Sequence, residues 1–351
     1  MKKRIIIFVH TEYHLLQSVS QVLKLYHDTE LFDVELYIRR GKNSTRLNQP
    51  LDFSGLPFTH YFFDEEININ KPLSETAKSA VEVLLAKAPS VFIFFQEQDP
   101  LMVILAGRYA DNGAEVHLYQ DGLKPYVHIR FHSLGLIKHH HTQNVWLSKH
   151  GFKVDNWLLP LWSKKYAHIK GIAKVFLTFP ESYQNWNGKP IEKMEFLPLA
   201  FLNPVLKKLF NWQETLLPER EKIIFYLNQP MRDDGIFETQ LLSKIIERFP
   251  DTKIYTKNHP STSKNKIELY KKLKNLQVID SPIPAELFIM NLSESIVFSM
   301  GSTSMFLDNP GNKFYYIYEL LENDIKRLRR YKMCNPAPHI KSVSNIDELS
   351  F

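Results

Sequence analysis

Four short segments of the chain carry side chains suited to proton transfer or phosphate binding, and each lies at the end of an apolar run or at the start of a helix. Tyr119-Gln120-Asp121-Gly122 closes one run, where the glycine permits a sharp turn that leaves the aspartate facing outward from a strand end. Lys257-Asn258-His259-Pro260 closes another. A histidine fixed there by the following proline can give a hydrogen bond or a proton to a leaving phosphate, with Lys257 adding positive potential. Gly301-Ser302-Thr303-Ser304 joins hydroxyls to the unpaired backbone N–H groups of a helix start, a phosphate cradle. In Ile283-Pro284-Ala285-Glu286 the proline opens a helix whose first-turn glutamate is either a dipole partner or a ligand for sugar hydroxyls. Each segment also has an ordinary reading. Asp-Gly is a common turn, and a second one stands at Asp234-Gly235. With 14 His and 20 Pro in 351 residues, about one His-Pro pair is expected by chance. Ser302 also suits an ordinary N-cap.

The elements that must position these residues follow the α/β pattern, with strand-length apolar runs alternating with helix-length amphipathic stretches. In the first half, strands are expected at 4–9, 32–38, 91–95 and 115–119, and helices at 13–26, 75–87 and 100–110. The strands are continuous Val/Ile/Phe/Leu runs, as in a parallel sheet covered on both faces. Residues 151–220 are rich in Trp, Pro and Phe, with strand candidates at 174–178 and 194–197 and helical pieces over 199–221. The alternation then restarts, with strands at 223–227, 253–256, 277–279, 295–299 and 313–318. Helices are expected at 238–248, 264–273 and 285–292, with another opening at 302–307. The reading is two doubly wound Rossmann-like domains, 1–205 and 206–351, facing a central cleft at the carboxyl ends of both sheets.

Composition narrows the chemistry. The single cysteine, Cys334, excludes an internal disulfide and any cysteine-cluster metal site, and it suits a reducing cytosol. The opening MKKRIIIFVHTEY has no cleavage site and reads as a buried first strand, so a cytoplasmic protein without a transmembrane span is expected. The chain has no GxGxxG, P-loop, HExxH or GxSxG, so a dinucleotide fingerprint, a zincin and a serine hydrolase elbow are excluded. His139-His140-His141 reads as a solvated loop, because adjacent imidazoles diverge and no acidic ligand lies close by. No metal site and no cofactor are expected. A net charge of +6 favours an acidic partner without choosing one.

The order Asp-Gly, His-Pro, Pro-x-Glu, Gly-Ser-Thr resembles the bacterial sialyltransferases of GT-B architecture, among them glycosyltransferase family 52 and the capsular polysialyltransferases. Those families carry an acidic-acidic-Gly motif in the N-terminal domain and His-Pro and Ser-Ser/Thr motifs in the C-terminal one. The opening FVHTEYHLL also looks like family 52 starts. The first acidic position is Gln120 in this chain, while the second, which carries the base, is kept as Asp121. The resemblance implies Asp121 as general base and His259 as acid or phosphate partner. It implies donor-nucleotide contacts from Lys257, Pro260, Glu286, Gly301, Ser302, Thr303 and Gln229, and acceptor contacts from His10, Glu12, Gln120 and Gly122. The implied reaction is inverting, metal-independent transfer of sialic acid from CMP-sialic acid to a hydroxyl of a lipooligosaccharide or capsular glycan. A monophosphate leaving group develops less charge than a diphosphate, which hydroxyls, a histidine and a helix N-terminus can meet.

Two alternatives remain open at this point. One keeps the fold and changes the donor to CMP-Kdo, another CMP-nonulosonate or a UDP-hexose. The other is a non-enzymatic basic α/β protein binding nucleic acid or an anionic membrane, carried by Lys326-Arg327-Leu328-Arg329-Arg330-Tyr331-Lys332. On a glycosyltransferase, the same run would hold the enzyme at the anionic inner membrane face, and no nucleic acid partner is expected.

Overall fold

The computed structural model describes residues 2–40, 47–126, 133–152, 166–169, 171–183, 188–213, 216–217, 221–229, 235–323, 328 and 335–351, with the backbone only at 133–137, 139 and 140. The described strands form two all-parallel sheets. The chain divides into two units, Met1–Asn48, Phe53–Pro125 and Ile129–Leu197 in the first, and Gln49–Asp52, Tyr126–His128 and Pro198–Phe351 in the second.

The first sheet contains β1 (Lys3–Val9), β2 (Phe32–Arg39), β3 (Thr59–Phe63), β4 (Val91–Phe94), β5 (Glu115–Tyr119), β6 (Ile172–Leu177) and β7 (Ile191–Lys193). Their order is β3-β2-β1-β4-β5-β6-β7. β1 is central, and Ile5 to Val9 are all buried because both faces of the strand are covered. The helices are α1 (Glu12–Leu25), α2 (Glu75–Leu85), α3 (Pro100–Asp111) and α4 (Ser133–Lys149). Each of the first three has a side-chain N-cap: Thr11, Ser74 and Asp99. α1 is buried from His14 to Val22 because a second layer covers it. Gln21 donates to the Glu195 carbonyl at 2.8 Å, and Ser20 accepts from the Leu197 amide at 2.8 Å.

The second unit contains α5 (Leu199–Leu209), β8 (Ile224–Leu227), α6 (Ile236–Arg248), β9 (Ile254–Lys257), α7 (Lys264–Lys271), β10 (Leu276–Ile279), α8 (Ala285–Met290), β11 (Ile296–Ser299), β12 (Lys313–Tyr316) and β13 (Ile340–Ser342). The strand order is β10-β9-β8-β11-β12-β13. Each sheet runs outward from its first strand and reverses once, between β1 and β4 and between β8 and β11. Ligands in doubly wound sheets bind outside the carboxyl ends of strands at such reversals.

Several elements differ from the sequence reading. The strand expected at 194–197 is instead β7 at Ile191–Lys193, because residues 195–197 bond to α1 rather than to a strand. The triple-histidine segment lies in α4 rather than in a loop, with His141 exposed; the side chains of His139 and His140 lie outside the described residues. β3 carries no uniform apolar run because it is an edge strand with four exposed residues of five. A boundary at 205 would cut α5, whose Leu202, Leu206 and Leu209 are buried within the second unit.

Candidate functional site

In the first unit, the carboxyl ends of β1, β4 and β5 bring charged and imidazole groups together. Thr11 caps α1 by accepting from the His14 amide at 3.1 Å, which starts the helix immediately after β1. That places His14 in the first turn, fully buried, with its ring stacked on Phe95 at 4.3 Å between centroids and 8° between planes. His14 Nδ1 accepts the His10 backbone N–H at 3.3 Å, so the ring proton sits on Nε2. Nε2 lies 3.0 Å from Asp121 Oδ1, to which it therefore donates. Asp121 stands two residues past the end of β5, and Gly122 at φ +65° turns the chain away in a left-handed conformation that favours glycine. A third of the Asp121 side chain (34%) is exposed, while His14 beneath it is sealed. Burial works against its ionisation, but the hydrogen bond from His14, with the positive charges of Lys124 and His10, outweighs it and holds the carboxyl below its ordinary value.

Two more carboxylates support this strand-end cluster. Asp99 caps α3 through the Leu101 amide at 3.0 Å, lies 2.8 Å from His10 Nε2 and pairs with Arg39 at the end of β2. Against burial, Arg39 and His10 hold it down to about 2. Glu97, almost fully buried, pairs with Lys124 Nζ at 2.7 Å and His168 Nδ1 at 2.9 Å. Burial again opposes ionisation, and these two partners hold Glu97 down to about 2.

In the second unit, His259 lies half-buried in the turn after β9. Its Nδ1 accepts the Ser261 amide at 3.1 Å, which leaves the ring proton on Nε2. The Thr262 amide donates to the His259 carbonyl at 2.8 Å, closing the turn. Thr262 Oγ1 donates to Asn228 Oδ1 at the end of β8. Asn228 Nδ2 reaches Glu238 at 2.8 Å and Tyr270 at 2.7 Å, and Glu238 pairs with the buried Lys266. The His-Pro turn is therefore bonded to a buried polar network rather than set by Pro260 alone. After β11, Ser299 Oγ accepts the amides of Gly301 at 3.2 Å and Ser302 at 3.1 Å. The Ser302 hydroxyl accepts from the Ser304 amide at 3.3 Å.

The expected residues thus fall into two groups, one per unit. His10, Asp121 and Gly122 belong to the strand-end cluster of the first. Glu12 and Gln120 are turned inward, which differs from the expected acceptor contacts. Glu12 accepts from the Leu47 amide at 2.8 Å, and the fully buried Gln120 accepts from the Thr178 amide at 2.9 Å, joining β5 to β6. In the second unit Gln229 and Gly301 to Thr303 follow β8 and β11, the strands at the reversal, while Lys257 ends β9 and Asn258 to Pro260 follow it. Lys257 donates to the Ser281 carbonyl. Glu286 is buried in the first turn of α8. The helix expected at 302–307 is one 3-10 turn at Thr303–Phe306, too short for a useful dipole, so the cradle rests on hydroxyls and single amides. The sequence reading missed His14, Asn228 and Ser261. For His14 the available signal was its position three residues after Thr11, an N-cap spacing. Apart from buried Leu328, the basic run at 326–332 lies outside the described residues. Among the described residues no helix is long and apolar enough to cross a membrane.

Comparisons with known proteins bear on this arrangement. A GT-B domain of a Photobacterium damselae sialyltransferase is similar in structure, with a TM-score of 0.54, 12% identity, and coverage of 97% of this chain and 100% of that one. A 2,6-sialyltransferase from Photobacterium sp. JT-ISH-224, in a ternary complex with CMP and lactose, matches with a TM-score of 0.54 at 12% identity, covering 97% and 78%. The UDP-GlcNAc 2-epimerase of Neisseria meningitidis gives 0.53 at 14% identity, covering 86% and 78%. Transferases and an epimerase share this fold, so fold alone does not select the reaction. No curated protein matches by sequence. The family model described as alpha-2,8-polysialyltransferase matches residues 17–313, a span holding Asp121, His259, Glu286, Ser302 and Thr303 but not His10 or His14. The non-enzymatic reading falls with that match: the chain has the GT-B fold, belongs to the alpha-2,8-polysialyltransferase family and is a sialyl-transferring glycosyltransferase.

Proposed function

We propose that this protein transfers sialic acid from CMP-sialic acid to a hydroxyl of a surface glycan, lipooligosaccharide or capsular, with inversion and without a metal. The observation that carries the reading is Asp121, a partly exposed carboxylate at a strand end, held as an anion by an imidazole N–H. Asp121 takes the proton of the acceptor hydroxyl as that oxygen attacks the anomeric carbon. The bond to the phosphate breaks, and CMP leaves with the electron pair. The Nε2–H of His259 meets the charge growing on the phosphate. Ser302 and Thr303 add hydroxyl hydrogen bonds, since a hydroxyl that accepts from a backbone amide can still donate. The strand reversal at β8 and β11 suits the nucleotide, with Gln229 and Gly301 beside it. The CMP and lactose held by the Photobacterium sp. enzyme, which shares the fold, support this donor and acceptor class. The basic run at 326–332 would serve peripheral contact with an anionic inner membrane face.

The test is transfer by purified protein against a panel of CMP- and UDP-sugars, with and without EDTA. Turnover is expected with CMP-sialic acid and is expected to survive the chelator. Turnover with a UDP-sugar alone, or loss in EDTA with recovery in magnesium, would overturn the donor and metal assignments. Asp121→Asn is expected to keep CMP affinity and lose at least ~100-fold in transfer.

A further inference from the structure

The buried imidazole below Asp121 has only one way to sit. We propose that His14 is a positioning residue, locked as the Nε2–H tautomer by the His10 backbone amide, which gives one fixed hydrogen bond to Asp121 Oδ1 and leaves Oδ2 to receive the acceptor proton. The proposal rests on the reading of Asp121 as the base.

Three observations carry it. The donor to Nδ1 is a backbone N–H, which cannot reverse its role as a hydroxyl can, so a proton on Nδ1 would collide with the amide proton between two nitrogens only 3.3 Å apart. A ring flip would leave both the His10 amide and the Asp121 oxygen without this partner, and an orphaned buried polar group is costly. The ring plane is fixed by stacking on Phe95, while Tyr13 and His10 approach from the sides at 6.4 and 6.1 Å between ring centroids. His14 has no exposed surface, so it is a support under the carboxylate rather than a group meeting substrate. The groups acting on Asp121 are His14 from α1, His10 from the end of β1 and Lys124 from the turn after β5. His10 is itself paired with Asp99, and Lys124 with Glu97.

The proton balance follows from this arrangement. One proton passes from the acceptor hydroxyl to Asp121 Oδ2, and His14 neither gains nor loses one. Removing the imidazole N–H would withdraw a bond that favours the anion, so the Asp121 pKa would rise and the acid limb of activity would move to higher pH.

The experiment uses the full chain with CMP-sialic acid and a glycan acceptor, measuring kcat and KM across pH for His14→Phe, His14→Gln and Asp121→Asn. His14→Phe keeps the stacking and loses the donor, and its kcat is expected to fall about 10- to 100-fold, the scale of a misoriented group. Its KM for CMP-sialic acid should stay within about twofold, and its acid limb should shift upward. His14→Gln, whose side-chain amide can donate from a similar reach, should recover most of kcat and return the limb. Histidine 15N spectra of the unmodified protein should show His14 protonated on Nε2 and bare on Nδ1, a measurement that decides the matter even where a variant fails to fold. A proton on Nδ1 would overturn the proposal. So would a His14→Phe enzyme with unchanged kcat and acid limb while Asp121→Asn is inactive. Near-normal transfer by Asp121→Asn is a different failure, that of the base assignment itself.

Discussion

Among the described residues, two imidazoles have Nδ1 occupied by a backbone amide, His14 by that of His10 and His259 by that of Ser261. Both therefore present Nε2–H, one from below the surface towards a partly exposed carboxylate and one from a half-buried turn. The distinction predicts how residues near His259 divide. His259→Ala removes the donor and should raise the barrier by roughly 2–4 kcal/mol, read as a loss in kcat. Ser302→Ala and Thr303→Ala should each weaken donor binding by about 1 kcal/mol, read in KM, the usual net worth of one hydrogen bond. Ser261→Ala keeps the amide at Nδ1 but removes the hydroxyl 2.7 Å from that nitrogen, so it should lose only a small part of the kcat lost by His259→Ala. Ser261→Pro removes that N–H and should approach His259→Ala in kcat. Equal kcat values for the two Ser261 variants would mean that the amide does not set the ring.

Among the elements, the junction of β8, α6 and α7 depends on charges removed from water. Glu238 and Lys266 expose only 1% and 2% of their side chains, and Tyr226 and Asn228 share the Glu238 carboxylate. Burial pushes the Glu238 carboxyl up, and Lys266 opposes the shift without cancelling it. Gly235 caps α6 at φ +83°, where a Cβ would meet the Lys266 side chain at 2.9 Å, so this glycine is structural. Lys266→Met strands a buried carboxylate and should destabilise the protein by about 3–5 kcal/mol. Adding Glu238→Gln to it should restore much of that loss, as seen in urea midpoints. Additive effects in the double variant would show that the two groups do not act as a pair. Because Asn228 links this pair to Thr262, weakening it should also reduce kcat through the His259 turn.

For the whole molecule, the two units should respond differently to acid. Glu97 and Asp99 in the first are held down to about 2, so they contribute stability that is complete above their ordinary pKa values near 4. That contribution is lost as pH falls from about 4 towards 2, on the order of 2 kcal/mol for each carboxyl. Glu238 in the second unit is shifted upward and binds its proton more tightly when folded, so acid does not withdraw support there. Hydrogen exchange between pH 5 and 3 should show β1, β4 and β5 losing protection before β8, β9 and β11. Glu97→Gln should flatten the decline in the first unit. Simultaneous loss in both units would contradict this division.

The strands were legible in the sequence because a parallel sheet covered on both faces demands continuous apolar runs, as at Ile5–Val9 and Val297–Phe298. The motifs at strand ends were legible too, since Asp121 and His259 each stand two residues past such a run, and their order led to the family. β3 was not, because an edge strand needs no apolar pattern, and neither was α4, whose histidine run hides its helical period. The inward turn of Gln120 and Glu12 depended on backbone amides at Thr178 and Leu47, 58 and 35 residues away in the chain. His14 reads in the sequence as one polar residue in an amphipathic helix. Only the packing of α1 against Phe95 and the end of β5 gave it a partner 107 residues distant. Local patterning determines which elements form, because it acts through neighbours in the chain. The protonation and aim of a side chain depend on groups that folding alone brings within 3 Å.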